Sequence, residues 1–464
     1  MVYSVEVGRA YTTERGQYMA EYELKYGKGS VTVSLPEERV LHVVTGAPYP
    51  AIMNTEKALV DALEHPVGTP PLHMIVHPGE TVCIVVSDIT RAWIHYERFL
   101  PTLLDYLNDA GIPDTDIFLL VAYGAHRKQS EAEHRMCYGE DVCRRVRIKH
   151  SCAVSEDCHY RHQGVTSRGV PIEINELALD ADRVILTGGL VYHMMAGYGA
   201  GRKAVLPGIS SYEAIQKNHV LCLSDTVGGG CNPDNYSSNI STNRMHADQL
   251  EHAQALNADF LINVINNADN QLARFVTGHW QQAWEDGIHT VDEIFKVPIT
   301  AKADCVIASA GGYPKDINLY QGIKTQDNAT KAVRPGGVII LLMELEDSQE
   351  PPEFINWFRY DNPKEHEMAL RKGFTVPGFI SLHVVEDLQT YTHIFVTLEK
   401  NRSIIEQTGA KMATTVEEAL AMAQDILGDA FTINILPTGS TTMPVVMSDV
   451  PSKKSGGSSC LCEE

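Results

Sequence analysis

The chain has 464 residues, a hydrophobic share of 44% and a formal net charge of −21. That length leaves room for two or three domains with full cores, and the acidic balance argues against nucleic acid as a partner, so any anionic ligand must be drawn in by a local basic cluster. No run approaches the roughly 18 apolar residues of a membrane helix, the first residues lack a charged-then-apolar leader, and Cys83, Cys137, Cys143, Cys152, Cys158, Cys222, Cys231, Cys305, Cys460 and Cys462 are scattered without a disulfide framework, so a soluble cytoplasmic enzyme with reduced thiols and no membrane partner is expected.

Residues 1–50 read as β-rich, with an alternating run from Val31 that stops at Pro36. Asn54 to Leu63 reads as a helix, and His65 to Pro71 as a rigid connector. The apolar run Val82 to Val86 predicts a buried strand that ends in Ser87-Asp88-Ile89-Thr90-Arg91. Arg91 is the natural clamp for a carboxylate or phosphate, because a guanidinium grips either in a fork; a surface ion pair with Asp88 is the plain alternative. Leu100 to Ala110 predicts an amphipathic helix with Pro101 in its first turn, closed by Gly111-Ile112-Pro113. A second strand at Leu119 to Val121 leads into Gly124-Ala125-His126-Arg127. A lone histidine there is more often structural than chemical. Residues 129–165 read as a solvated polar insert. A zinc site from Cys152, Cys158, His150, His159 and His162 is disfavoured, because the Cys-x5-Cys spacing is wider than zinc sites use.

A third strand, Val184 to Leu186, breaks at Thr187-Gly188-Gly189. His193 follows, then a loop with Gly197, Gly199 and Gly201, then Arg202-Lys203. Ser210 with Glu213 three residues on suggests a capping box and a helix from about Ser211, carrying Asn218-His219. The loop is not a Walker A motif, since Lys203 is followed by Ala204 and no hydroxyl can hold Mg²⁺; nor does Gly197-x-Gly199-x-Gly201 match the dinucleotide fingerprint. Taken alone it reads equally well as a glycine-rich surface loop. Residues 225–243, rich in Gly, Ser and Asn, read as a loop or lid. A helix over His246 to Asp259, a strand over Phe260 to Ile265 and a linker near 288–298 follow. Strand and helix then alternate through 304–308, 316–333, 337–343, 363–372, 380–385, 393–397, 416–427 and 431–436, a second α/β domain. Its first strand ends in Gly311-Gly312-Tyr313-Pro314, and the next helix sets Tyr320, Gln321 and Lys324 on one face. Such a face is commonly just solvated. Residues 451–464 are expected to be a disordered tail. Four strands ending in glycine, histidine or charge point to one site, since open α/β sheets bind ligands beyond their strand ends. The expected fold is α/β, with domains at 1–287 and 288–450 and the active site in the cleft between them.

At these positions the sequence resembles the nickel-pincer lactate racemases. The resemblance rests on Asp88-Ile89-Thr90-Arg91, Gly124-Ala125-His126-Arg127, His193 with Gly199-x-Gly201-Arg202-Lys203, Asn218-His219, and Gly311-Gly312-Tyr313-Pro314 followed by Tyr320-Gln321-Gly322-Ile323-Lys324, in the family's order from about residue 10 to about 440. It implies a racemase or epimerase of 2-hydroxy acids that inverts C2 by hydride transfer to and from a cofactor, the nickel pincer nucleotide (pyridinium-3,5-bisthiocarboxylic acid mononucleotide). By resemblance Lys203 is the covalent tether, Asp88 and Thr90 belong to the cofactor site, and His219 is the protein's nickel ligand. His126 and His193 are the two acid–base groups, while Arg91, Tyr320, Gln321 and Lys324 hold the substrate. The resemblance also implies maturation enzymes as partners, which make the cofactor.

Two other readings use the same residues. A small-anion or nucleotide binding protein without turnover would use the Arg91 and Lys203 charges as clamps. A zinc hydrolase or lyase would use His126, His193 and His219 as direct ligands.

Overall fold

The apolar runs become parallel strands buried on both faces, as expected where helices cover a sheet on either side. The computed structural model describes residues 11–12, 18–360 and 362–447; the tail expected at 451–464 lies outside the described residues. The chain divides into two compact units.

The first unit contains Gly46–Phe295 and Gln349–Glu386. Its six-stranded sheet runs Leu272–Gly278, Phe260–Asn266, Arg183–Gly189, Val82–Ser87, Ile117–Gly124, Arg147–Cys152 from edge to edge. Numbered along the chain and read from the opposite edge, that order is 3-2-1-4-5-6, the doubly wound arrangement. All neighbours are parallel except Leu272–Gly278, which is antiparallel to its partner. Alternation assigns the two faces: Val82, Ile84 and Val86 join one apolar core, while Cys83 and Val85 join the other. The strand order reverses between Val82–Ser87 and Arg183–Gly189, which is where such sheets open a crevice for ligands.

The second unit has its own six-stranded sheet, in the order Lys411–Ala413, Thr392–Val396, Val333–Leu342, Ala303–Ser309, Ile433–Leu436, Val40–Val43. Every pairing in it is parallel. The hairpin Tyr18–Tyr26 and Gly29–Pro36 packs Tyr22, Leu24, Val33 and Leu35 into this sheet's core.

Several sequence expectations change. The units are not the consecutive ranges 1–287 and 288–450. The strand Val40–Val43 pairs with Ile433–Leu436 and draws residues 18–45 into the second unit. Residues 349–386 return to the first, where Glu367 accepts the backbone N–H of Gly228 and Gly230 and Arg371 donates to the Ser224 carbonyl. The linker expected near 288–298 is where the chain passes from the first unit to the second, but the helix Gln282–Phe295 runs directly into the strand Lys296–Ile299 there. The 129–165 insert is not a solvated loop: helices Glu131–Tyr138 and Glu140–Arg145 lead into the edge strand Arg147–Cys152. Segment 380–385 falls inside the helix Val376–Thr390. The strand Ala303–Ser309 does lie in the second sheet, as the sequence leads one to expect.

Candidate active site

Three loops that leave the carboxyl ends of adjacent strands meet in the first unit. The loop after Val82–Ser87 reaches the end of Arg183–Gly189, where a Cβ on Gly189 would lie 2.3 Å from the Trp93 ring. The loop after Ile117–Gly124 reaches the glycine loop, where Gly124 N–H donates to the Gly208 carbonyl at 3.0 Å. Only glycine permits the first approach, so the break after the strand is a packing requirement.

Asp88 caps the short helix Ile89–Ile94 and orients His126. One carboxylate oxygen accepts the Thr90 N–H at 3.2 Å and the Thr90 hydroxyl at 2.5 Å, and the other lies 2.7 Å from His126 Nδ1. Burial opposes ionisation, but the bonds from His126 and Thr90 prevail and hold the carboxyl below its usual range. Arg91 is exposed and donates to Thr90, to the carbonyl at 3.2 Å and the hydroxyl at 3.1 Å. It does not make the ion pair with Asp88 that the plain reading supposed, so its charge is offered outward.

His193 lies on a two-residue strand, Tyr192–His193, paired with Gly197–Tyr198. Its Nδ1 accepts the backbone N–H of Met195 and Ala196, each at 3.2 Å. Behind this hairpin Arg202 is 1% exposed. It donates to the carbonyls of Ala196, Tyr198 and Gly199 and to His246 Nδ1, and stacks 4.1 Å from the Trp284 ring. Burial lowers its pKa to about 9, which still leaves it charged at neutral pH. Of the Arg202-Lys203 pair, then, the arginine is the loop's structural pin.

Lys203 follows within the short helix Gly201–Ala204, half-buried. Burial, reinforced by the charges of Arg202 and Arg91, brings its amine down to about 7. His219 ends the helix Tyr212–His219, whose cap is Ser211 rather than the expected Ser210: the Ser211 hydroxyl accepts the Ala214 N–H. His219 Nδ1 lies 2.8 Å from the Ile215 carbonyl. A carbonyl only accepts, so Nδ1 carries the proton and Nε2 the lone pair. Burial, then the Lys203 charge, push the imidazole down to about 3, so it is neutral at physiological pH. Phe374 packs edge-on against it, ring centres 5.9 Å apart. Lys203 feels Arg91, and His219 feels Lys203 and His126; these four residues share one electrostatic neighbourhood.

Tyr320, Gln321 and Lys324 lie in the second unit on the helix Leu319–Thr330, with Gln321 and Lys324 exposed and Tyr320 half-buried. The 225–243 stretch is irregular, as expected. Sequence reasoning missed the residues that brace the hairpin. The hydroxyls of Tyr192 and Tyr198 both donate to one Asp292 oxygen, at 2.9 and 2.7 Å. Asn235 and Asn243 both donate to the Met195 carbonyl, at 2.7 and 2.9 Å. Asp292 lies about a hundred positions away in the chain and left no local signal.

The model of the lactate racemase N-terminal domain matches residues 26–229, and that of the lactate racemase C-terminal domain matches 299–444. A lactate racemase of Thermoanaerobacterium thermosaccharolyticum is 31% identical over 430 residues, covering 91% of this chain and 98% of that one. A lactate racemase of Lactiplantibacillus plantarum is 29% identical over 428 residues, covering 91% and 99%. The solved structure of the T. thermosaccharolyticum lactate racemase apoprotein superposes with a TM-score of 0.82 at 29% identity, covering 92% of this chain and all of that one. A Thermotoga maritima structure shares the fold alone, with a TM-score of 0.59 at 15% identity, covering 86% of this chain and 100% of that one. With both domains matched in order and nearly the whole length of its relatives spanned, the chain belongs to the lactate racemase family of isomerases.

Proposed function

We propose that this enzyme racemises or epimerises 2-hydroxy acids, with a nickel pincer nucleotide joined to Lys203 and ligated by His219. The observation that carries this reading is the Lys203 amine, lowered toward neutrality by burial, near a buried imidazole, His219, whose Nδ1 is anchored on the Ile215 carbonyl at 2.8 Å. The first suits formation of a covalent amide-type tether; the second suits a metal ligand, with Nδ1–H anchored on a carbonyl and Nε2 left as donor. Beside them Asn218 Oδ1 is buried without a hydrogen-bond partner, a polar atom suited to a polar guest. Asp88 and Thr90, bonded to each other just beyond the strand Val82–Ser87, are assigned to the cofactor site.

The C2 hydrogen of a 2-hydroxy acid is barely acidic, so inversion through the 2-keto acid avoids a carbanion. When bound, the cofactor supplies the acceptor that takes the C2 hydrogen with its electron pair and returns it. The protein's own work is to hold the substrate and move the hydroxyl proton. Arg91 grips the carboxylate. His126 takes the hydroxyl proton at Nε2, and the Asp88 carboxylate at 2.7 Å stabilises the resulting imidazolium. His193 serves the other face, and Tyr320, Gln321 and Lys324 are assigned to substrate binding. Lactate is the first substrate to try, because it is what the relatives are named for.

Intact mass combined with metal analysis tests the reading, on protein matured by a host that makes the cofactor. A covalent adduct at Lys203 with about one nickel per chain is expected. An unmodified, metal-free protein from that host would favour the anion-binding reading, and zinc without an adduct the hydrolase reading. Among the described residues no three His, Cys, Asp or Glu side chains are grouped to hold a metal, so the donor set for direct three-histidine zinc binding is not assembled.

A further inference from the structure

His126 and His193 are held by different kinds of partner, and the difference decides which ring nitrogen of each carries a proton. An ionised carboxylate only accepts. With Asp88 at 2.7 Å, His126 Nδ1 is protonated and Nε2 holds the lone pair. At His193 two backbone N–H groups converge on Nδ1, from Met195 and Ala196. Two donors aimed at one nitrogen require a lone pair there, so the neutral ring keeps its proton on Nε2. A proton moved to Nδ1 would face both N–H groups and leave them unpaired, and Ala196 is wholly buried.

The backbone of this turn is held from several sides. Because the peptide is planar and trans, the Met195 carbonyl and the Ala196 N–H point in opposite directions. Asn235 and Asn243, from the irregular 225–243 stretch, both donate to that carbonyl and thereby aim the Ala196 N–H at His193. Arg202 fixes the next peptide through the Ala196 carbonyl, at 2.6 Å. Asp292 holds the hairpin through Tyr192 and Tyr198. The protonated nitrogen of His193 is therefore set by the protein backbone.

Resting on the racemase reading, we infer that the two histidines meet the substrate in opposite tautomers: His126 as a base at Nε2, His193 as an Nε2–H donor, with Asn235 and Asn243 the positioning residues that fix the second. For the enantiomer whose hydroxyl faces His126, the O–H bond breaks and the proton goes to His126 Nε2. For the enantiomer facing His193, the resting ring offers a donor where a base is needed. That hydroxyl proton can be taken only once the 193–196 turn releases Nδ1 to accept the ring proton. The two half-reactions therefore differ in rate even though the overall reaction is symmetric. The 225–243 stretch, expected from sequence to be a loop or lid, acts here as a brace.

Histidine-selective ¹⁵N labelling of the full-length, cofactor-free protein tests this, with His126→Ala and His193→Ala spectra to assign the signals. Long-range ¹H–¹⁵N correlations at neutral pH should show Nε2–H for His193 and Nδ1–H for His126. A protonated Nδ1 on His193 would overturn the inference. Because no cofactor is involved, that failure leaves the racemase reading to its own mass and metal test. Asn235→Ala should add an Nδ1–H signal at His193; an unchanged signal in a folded variant would remove Asn235 from the positioning role. In matured enzyme His193→Gln, whose side-chain amide can place an N–H where Nε2–H stood, should outperform His193→Asn by about tenfold in the half-reaction with the His126-facing enantiomer. Equal losses would count against the donor role.

Discussion

Burial acts in the same direction on Lys203 and His219, disfavouring the charged form of each. With its amine lowered to about 7, Lys203 holds a much larger share of the free, nucleophilic amine at neutral pH than an ordinary lysine, whose pKa is about 10.4. Competitive acetylation of unmatured protein, followed by peptide mass spectrometry, should show Lys203 labelled first and its rate levelling off above about pH 7. A rate still climbing at pH 9 would mean a normal, solvated amine. Since the folded pKa is below the unfolded value, the unfolded chain binds more protons between about 7 and ~10.4, so this residue makes stability rise with pH across that window. After maturation, Lys203→Ala should show no covalent adduct. His219→Ala should retain the adduct at Lys203 but lose most of its nickel, read by metal analysis of the intact protein; full nickel with normal turnover would end the ligand assignment. The identities of these residues were legible from short motifs in order. Their proton states were not, because they come from carbonyls, charges and burial that only the fold brings together, such as the Ile215 carbonyl on His219.

The same contrast holds for whole elements. Helices with strong local start signals were legible: Thr55–Glu64 behind the Asn54 cap, and Pro363–Lys372 behind Asn362. The helix Val376–Thr390 reads in part as a strand from sequence because it is apolar nearly all round, with Phe379, Ile380, Leu382 and Val384 buried and little periodicity to betray a helix. The glycine loop shows what a motif conceals. Gly201 has φ +53, and a Cβ there would lie 2.4 Å from the Trp284 ring. That ring also carries the Arg202 stack and donates to the Gly199 carbonyl at 2.9 Å. Gly201→Ala must strain the backbone and displace the tryptophan together, and should cost roughly 2–4 kcal/mol. Thermal or urea unfolding should show the loss in the cofactor-free protein. A change within about 0.5 kcal/mol would mean that the loop, like an ordinary surface loop, tolerates the side chain.

At the scale of the molecule, the sequence shows two α/β domains but not which segments build them. A strand's sheet is chosen by pairing and burial, and Val40–Val43 carries no mark of a partner almost four hundred residues away in Ile433–Leu436. This permits a direct test with a fragment of residues 1–287, the first domain as the sequence alone would draw it. The cut falls inside the helix Gln282–Phe295 and discards Ile288, Val291, Ile294 and Phe295, all of which pack in one core of the first unit. It also discards Glu367, which holds the Gly228 and Gly230 N–H groups, and Phe374, which covers His219. What it keeps includes Tyr18–Tyr26, Gly29–Pro36 and Val40–Val43, strands whose packing partners lie beyond the cut. Such a fragment has lost core on one side and gained exposed apolar strands on the other. It should bind a hydrophobic dye and keep far-ultraviolet but not near-ultraviolet circular dichroism, the signature of collapse without fixed packing. A fragment that instead unfolds in one sharp transition close to that of the full chain would show that residues 1–287 fold on their own, and that the segments 288–295 and 349–386 are dispensable to the first unit.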